Sequence, residues 1–366
     1  MTTAPWRTYL VRYGEIGIKS PAIRNRFEKR LIMNLEEAFL ARGIEGAVER
    51  EWGRIYVKAR ETPEVLGVLT RTFGIVSASP AEEIPATMEA MCSEVAARSR
   101  EIMGPNQSFA VRARRTGDQA YTSMDVQKQV GSAIFNANAE KNPRVDLTEP
   151  DVEFFLEVRP DKAFFYRDVY PGPGGLPLGT QGRVTAFIEH PESALALWLV
   201  MRRGCTVSPL AFEPVSEELR EALTALADWA PGLKVATVRV PEAVRGPLAR
   251  RRFAMEVMRR YTRGRRAYAV VVEDDFRGAA RYAGFDEHTG GFPVFRPLVG
   301  YVGARRDRLV RAVGIGPLLG GALSGGDAEA PIPENVGDLA KEALFDMGSF
   351  QVTPRATRGP LEEARL

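Results

Sequence analysis

Histidine and cysteine are scarce: 366 residues contain two of each, His190, His288, Cys92 and Cys205. That excludes a disulfide-stapled secreted fold and a zinc site built mainly from thiolates. It also leaves few ligands for a histidine-rich metal centre and few partners for a catalytic triad. An excess of one charge is missing too. Fifty basic residues face 47 acidic ones, giving +3 overall, so a globally cationic nucleic-acid coat is excluded while local basic patches are not. No long apolar run exists. The longest, such as 194–201, falls far short of a membrane span, and the N-terminal MTTAPWRTYLVRYGE has no apolar stretch of signal-peptide length. These absences predict a cytoplasmic protein in a reducing compartment, without membrane contact. What is present is globular: 45% hydrophobic and 27% charged residues, over a length that suits two or three domains.

The pattern of elements begins with a strand at 8–12 and an amphipathic helix at 25–40, where Phe27, Leu31, Leu35 and Phe39 recur near every fourth position. Gly43 stops that helix. A strand at 54–59, a short helix at 63–71 and a strand at 74–80 follow, with a fourth strand open. This alternation predicts a ferredoxin-like split βαβ unit. A second unit starts near Pro85, with helices at 88–103 and 123–136 and strands at 108–114, 152–158 and 163–166. Ser123 is the expected N-cap of its second helix, with Asp125 in the first turn.

Residues 171–179, Pro-Gly-Pro-Gly-Gly-Leu-Pro-Leu-Gly, read as a linker or as a backbone-rich loop against a ligand. Strand and helix then alternate: strands at 184–188, 205–212, 234–240 and 267–273, helices at 192–203, 216–230 and 250–263. This predicts a doubly wound parallel sheet. The tail beyond Pro317 reads as mostly irregular, with one helix around 336–347. The expected domains are 1–82, 83–170, a linker at 171–182, 183–316, and a tail at 317–366.

Basic residues concentrate locally. Residues 12–30 hold Arg12, Lys19, Arg24, Arg26, Lys29 and Arg30 against Glu15 and Glu28. Arg112, Arg114, Arg115 and Lys128 form a second cluster, with Arg112 and Arg114 on one face of a strand. Guanidinium groups suit bidentate phosphate contacts, although charge alone equally fits a solvated face. Arg12-Tyr-Gly-Glu-Ile-Gly-Ile-Lys-Ser, followed by Arg24-Asn-Arg-Phe-Glu-Lys-Arg-Leu, resembles the N-terminus of the tRNA 4-thiouridine synthetase family, the tRNA sulfurtransferases called ThiI. Phe109-Ala-Val-Arg-Ala-Arg-Arg, Val126-Gln-Lys-Gln-Val-Gly, Asp146-Leu-Thr-Glu-Pro-Asp-Val-Glu and Gly174-Gly-Leu-Pro-Leu-Gly-Thr-Gln-Gly-Arg-Val resemble its THUMP domain and the entry to the next domain.

The resemblance implies an α/β and α+β multidomain protein: a ferredoxin-like domain, a THUMP domain, then a doubly wound domain of the PP-loop ATPase, adenine nucleotide alpha hydrolase-like type. The first two would hold the acceptor end of a tRNA. It assigns RNA contacts to Arg12, Lys19, Arg24, Arg26, Arg112, Arg114, Arg115 and Lys128. Such contacts position RNA through phosphates and shape, and are salt-sensitive. A dense basic segment holding Arg250, Arg251, Arg252, Arg259, Arg260, Arg263, Arg265 and Arg266 is expected to add contacts to the RNA body, chiefly from Arg251 and Arg252.

In intact members of the family, ATP and magnesium bind at a Ser-Gly-Gly-x-Asp-Ser loop, whose glycines let backbone N–H groups approach phosphate. The corresponding stretch here runs Glu189, His190, Pro191, Glu192 and Ser193. Both glycines are gone, Pro191 removes a donor, and two glutamates bring negative charge. Ser324-Gly-Gly-Asp327 resembles the lost loop in letters and reads as a surface turn. Glu273, Asp274 and Asp275 form an acidic run that reads as a solvated loop, with a magnesium site as the sharper alternative. Pro293-Val-Phe-Arg-Pro-Leu-Val-Gly300 closely resembles a family segment, yet no cysteine follows it where the family has one, and no segment of rhodanese length is expected beyond it. Cys92 and Cys205 read as packing residues.

The expectation is a tRNA-binding protein with a degenerate PP-loop, no catalytic residues, no metal and no cofactor. The alternative is a divergent sulfurtransferase with a rebuilt nucleotide site or an external sulfur donor. A homodimer, or pairing with an intact sulfurtransferase subunit, stays open.

Overall fold

Residues 4–51, 54–316 and 331–354 are described by the computed structural model. The N-terminal elements are β1 (Trp6–Tyr13), α1 (Pro21–Leu40), β2 (Gly46–Glu51), β3 (Arg54–Arg60), α2 (Pro63–Leu69) and β4 (Ile75–Pro85). Their sheet order, β2-β3-β1-β4, is the ferredoxin-like arrangement. The fourth strand is β2. Its sequence GAVERE is mostly exposed, as an edge strand tolerates, so it carries charge rather than an apolar rhythm.

β4 runs on to pair with the next sheet, from Glu82↔Phe165 to Pro85↔Lys162. That sheet contains β5 (Ser108–Arg115), β6 (Arg144–Val145), β7 (Val152–Val158), β8 (Lys162–Tyr166) and β9 (Tyr170–Pro171), with helices α3 (Met88–Ile102) and α4 (Ser123–Ala137). The continuous order is β2-β3-β1-β4-β8-β7-β5-β6, with β9 on β4. Phe109, Val111 and Ala113 of β5 join Met91, Val95, Val126, Val130 and Ile134 of the helices in one core. The N-cap of α4 is Thr122 rather than Ser123. Its hydroxyl accepts the Asp125 N–H at 3.1 Å while the Asp125 carboxylate accepts the Thr122 N–H at 2.8 Å, a reciprocal capping box.

The third domain contains β10 (Arg183–Ile188), α5 (Ser193–Arg202), β11 (Thr206–Glu213), α6 (Glu217–Ala227), β12 (Lys234–Arg239), α7 (Gly246–Gly264), β13 (Val270–Val271), α8 (Phe276–Tyr282), β14 (Val294–Phe295), α9 (Ala304–Val313), α10 (Val336–Ala343) and β15 (Gly348–Gln351). The sheet order is β14-β13-β10-β11-β12-β15, with every neighbouring pair parallel except β12 with β15. Side chains of α5, α6 and α9 pack on one face, and those of α7 and α10 on the other. The doubly wound sheet is therefore present. The segment around 336–347 divides into helix α10 and strand β15, so the supposed tail completes the sheet. Ser324–Asp327 lies outside the described residues.

The chain divides into two compact units. One comprises Met1–Val11, Gly46–Glu61 and Ala78–Tyr170; the other comprises Arg12–Glu45, Thr62–Ser77 and Pro171–Leu366. The ferredoxin-like helices thus belong with the third domain. Phe73, just after α2, is buried in that domain's core, with ring centroids 5.6 Å from Trp198 and 5.5 Å from Trp229. The Gly/Pro segment is neither a loose linker nor a ligand loop. The Leu178 carbonyl accepts from Arg30 at 2.8 Å and Asn34 at 3.1 Å, and Gly74 N–H donates to the Gly174 carbonyl at 2.8 Å. At Gly175, with φ +74°, a Cβ would lie 2.1 Å from the Arg202 carbonyl oxygen, so only glycine fits. Among the described residues, no helix is long and apolar enough to cross a membrane.

Candidate functional site

Of the expected RNA contacts, Arg12, Lys19, Arg24 and Arg26 fall in one compact unit, and Arg112, Arg114, Arg115 and Lys128 in the other. In the first group, Arg24 turns back on its own chain and donates to the Gly17 and Lys19 carbonyls, closing the loop between β1 and α1. Arg26 is exposed, 5.5 Å from the Phe27 ring centroid, while Arg12 and Lys19 are half-buried.

In the second group, Arg112 and Arg114 do lie on the β5 face opposite Phe109, Val111 and Ala113. Arg112 is committed to Glu153 at 2.9 Å and the Leu147 carbonyl at 2.8 Å. Arg115 donates to the Gly117 carbonyl and to Gln119 Oε1, and Gln119 in turn donates to the Arg159 carbonyl at 2.7 Å. Arg114 and Lys128 remain exposed. Six of the eight residues therefore fall into two groups. Arg24, Arg112 and Arg115 shape loops, and Arg26, Arg114 and Lys128 present charge outward.

In the third domain the chain leaves β10 to one side for β11 and β12, then returns to the other side of β10 for β13. This makes a topological switch point, and the crevice at the carboxyl ends of β10 and β13 is where doubly wound sheets bind ligands. It is formed here by residues 189–193 and 273–275. The Glu273 side chain, 15% exposed, reaches across it. Its Oε2 accepts the His190 N–H at 3.3 Å and the Glu189 N–H at 3.5 Å, while Oε1 lies 3.8 Å from His190 Nε2. Burial pushes the Glu273 carboxyl well above its usual range, and the negative charges of Glu189 and Glu192 push it further against the lowering effect of the two N–H groups.

Pro191 has no N–H to offer, and Ser193 Oγ, buried at the start of α5, accepts from Glu189 N–H at 3.2 Å. Both loop glutamates are neutralised within the chain, Glu189 by Arg250 at 2.8 Å and Glu192 by Arg306 at 3.1 Å.

The acidic run 273–275 is only partly solvated, with Asp275 exposed and Asp274 buried. Its carboxylates diverge in three directions. Glu273 faces the 189–190 backbone, Asp274 lies inside between Arg251 (2.6 Å) and Arg296 (2.9 Å), and Asp275 caps α8 by accepting the Gly278 N–H at 2.9 Å. No group of three or more metal-ligating side chains occurs among the described residues. Arg296 also grips Asp286 through two bonds of 2.7 and 2.6 Å, which is the main reason its pKa is raised. The alternation Arg251, Asp274, Arg296, Asp286 makes a charge-balanced chain, and Arg296 explains why the 293–300 segment keeps its arginine.

Arg251, 7% exposed, is therefore buried in that chain, with its guanidinium turned to Asp274. Arg252 is half-buried and paired with Glu256 at 3.2 Å, so it too is partly withdrawn. Both cysteines are free thiols. Burial raises the Cys92 thiol pKa, keeping it protonated, and Cys205, buried, lies 3.1 Å from the Tyr268 hydroxyl, whose own pKa is pushed up to about 12 by burial and that contact. Sequence reasoning missed Arg250, Arg306 and Arg296 as the partners of these carboxylates; Arg250 and Arg306 come from helices 61 and 114 residues away from their partners.

Comparison with known proteins agrees with this architecture. Residues 8–79 match the family model of the ThiI ferredoxin-like domain and residues 85–168 that of the THUMP domain. A probable tRNA sulfurtransferase of Methanosarcina acetivorans is 36% identical over 243 residues, covering 63% of this chain and 59% of that protein. One of Halobacterium salinarum is 39% identical over 203 residues, covering 55% of this chain and 52% of that protein. The chain thus spans roughly half to three-fifths of the length of these curated relatives.

Among solved structures, PH1313 from Pyrococcus horikoshii is 29% identical with a TM-score of 0.70, over 84% of this chain and 99% of that one. A 4-thiouridine synthetase in complex with RNA and ATP, 22% identical, superposes with a TM-score of 0.76 over 95% of this chain and all (100%) of that one, and so shares its fold. Residues 8–79 thus match a ThiI ferredoxin-like domain and residues 85–168 a THUMP domain, in that order along the chain.

Proposed function

We propose that this chain is a cytoplasmic tRNA-binding protein of the ThiI type whose third domain does not carry out ATP-dependent sulfur transfer. The observation that carries the second half is the Glu273 carboxylate at the switch point. The backbone N–H groups of Glu189 and His190, the donors a phosphate would need, are directed at the carboxyl group of Glu273, which the chain itself provides. Pro191 adds no donor, and the carboxylates of Glu189 and Glu192 are neutralised by arginines rather than by a metal. These residues do not fit ATP with magnesium. The two cysteines, one buried beside Tyr268 and one with a raised pKa, support the same reading for sulfur.

The RNA-binding half rests on the THUMP domain and on the exposed cations Arg26, Arg114 and Lys128, which would meet phosphates, with Lys19 and Arg12 beside the loop that Arg24 closes. Crosslinking in cells followed by RNA sequencing tests it. tRNA, with contacts at its acceptor end, should be enriched well above a charge-matched control protein; enrichment equal to that control contradicts RNA binding.

A further inference from the structure

The arginines of α7 are consecutive or nearly so in sequence, yet the helix distributes them unequally. At 100° per residue, Arg250 and Arg251 leave the helix toward Glu189 and Asp274. Arg252, Glu256, Arg259, Arg260 and Arg263 instead fall within about 100° of one another, forming one stripe. Three of its guanidinium groups converge on a single carboxylate: Glu256 lies 3.2 Å from Arg252, 3.0 Å from Arg259 and 3.5 Å from Arg260. Three guanidinium groups bring about fifteen N–H donors, far more than one carboxylate can accept. The buried Arg252 Nε, Arg259 Nε and Arg260 Nη1 have no hydrogen-bond partner, and neither does Glu256 Oε2, so the cluster is held by charge more than by hydrogen bonds.

Helix α10, packed against α7, brings Asp338, Lys341 and Glu342, and the 3-10 turn Ala283–Thr289 brings Glu287 and Asp286, the latter held by Arg296, against the six arginines of 252–266. His288, from the 3-10 turn Ala283–Thr289, has its pKa lowered by burial and by Arg252, and Glu287 beside it is 3.6 Å from that imidazole. Gly290, with φ +69°, packs so closely that a Cβ would lie 2.6 Å from Arg259 Cδ, which holds the arginine stem in place. The stripe's last member, Arg263, and Arg265 and Arg266 after it are exposed at the C-terminal end of the helix, with Arg265 5.1 Å from the Tyr261 ring centroid.

We propose that this stripe is a second phosphate-binding surface for RNA, in which Glu256 positions the guanidinium groups and the excess charge is matched by backbone phosphates. Glu256 acts as an internal counter-ion: it prevents the arginines from repelling one another but leaves the cluster of Arg252, Arg259 and Arg260 with a net positive charge. Planar, crowded guanidinium groups suit phosphate oxygens, and their exposed extension at Arg263, Arg265 and Arg266 gives the surface length along a strand. The inference rests on the tRNA reading above and adds a contact surface in the third domain to it.

The test is binding of a fluorescently labelled tRNA transcript to the whole chain across a salt series. Three proteins are compared: wild type, Arg263→Gln/Arg265→Gln/Arg266→Gln, which leaves the Glu256 cluster intact, and Arg114→Gln in the THUMP domain. The triple variant should bind about tenfold more weakly, and its dependence of log K on log salt should be shallower by about 2, as each lost phosphate contact removes slightly less than one. A triple variant equal to wild type in both affinity and slope, with Arg114→Gln weakened, overturns the α7 surface and leaves the THUMP reading standing. Wild type without measurable tRNA binding overturns both.

Discussion

Asp274→Ala is expected to destabilise the third domain by about 3–5 kcal/mol, because it leaves a buried guanidinium without its counter-ion. Asp274 is 7% exposed and its principal partner Arg251 is equally buried, 2.6 Å away. Arg296 keeps Asp286 after the substitution, but Arg251 retains only the Tyr282 ring, 5.0 Å from its guanidinium carbon. Urea unfolding followed by near-ultraviolet circular dichroism measures the loss. The paired replacement Arg251→Met/Asp274→Leu should restore much of it, since removing both charges avoids the uncompensated one. A single variant within about 0.5 kcal/mol of wild type would mean that water solvates Arg251 and that the network does not organise the crevice.

Glu273→Gln is expected to act in the opposite direction, and only above acid pH. The folded-state pKa of Glu273 lies well above the 4.5 of a free glutamate, chiefly through burial. Below pH 4.5 the carboxyl is protonated in both folded and unfolded chains, so the contribution of its protonated form is fully present. As pH rises through the folded value, the native state must give up a proton it holds more tightly than the unfolded chain does, and that stability is lost. Glutamine keeps an acceptor for the His190 and Glu189 N–H groups and never ionises. The gain in Tm of Glu273→Gln over wild type should therefore be flat below pH 4.5, grow with pH, and level off above the folded pKa. A Tm difference that is independent of pH, or that favours wild type as pH rises, would place the Glu273 charge in water.

Both variants concern residues whose roles sequence order concealed. The doubly wound sheet was legible because Val184 to Ile188 and the helix after them carry dense apolar runs that no other arrangement buries. β2 and β15 were not legible as firm strands: GAVERE and GSFQ are edge strands with little apolar content, and their pairing is set by neighbours far along the chain. The Pro/Gly segment at 171–179 looked like a linker because its backbone demands glycine, whereas the demand comes from close packing against Arg202 and Ile75.

At the candidate sites, runs of like residues misled. Arg250, Arg251 and Arg252 point in three directions because consecutive helical residues are 100° apart. Glu273, Asp274 and Asp275 likewise diverge as the chain passes from β13 into the cap of α8. What was legible was the composition of the loop itself, Glu189, Pro191 and Glu192 without a glycine. What was not legible was that the Glu273 carboxyl would face it.

That arrangement is the centre of the account, and titration of ATP with magnesium into the protein–tRNA complex, followed by calorimetry, tests it most directly. With Glu273 facing the loop donors and Pro191 contributing none, no saturable heat is expected at millimolar ATP. Saturable binding that disappears in Ser193→Ala would contradict the account and identify the crevice as a rebuilt nucleotide site.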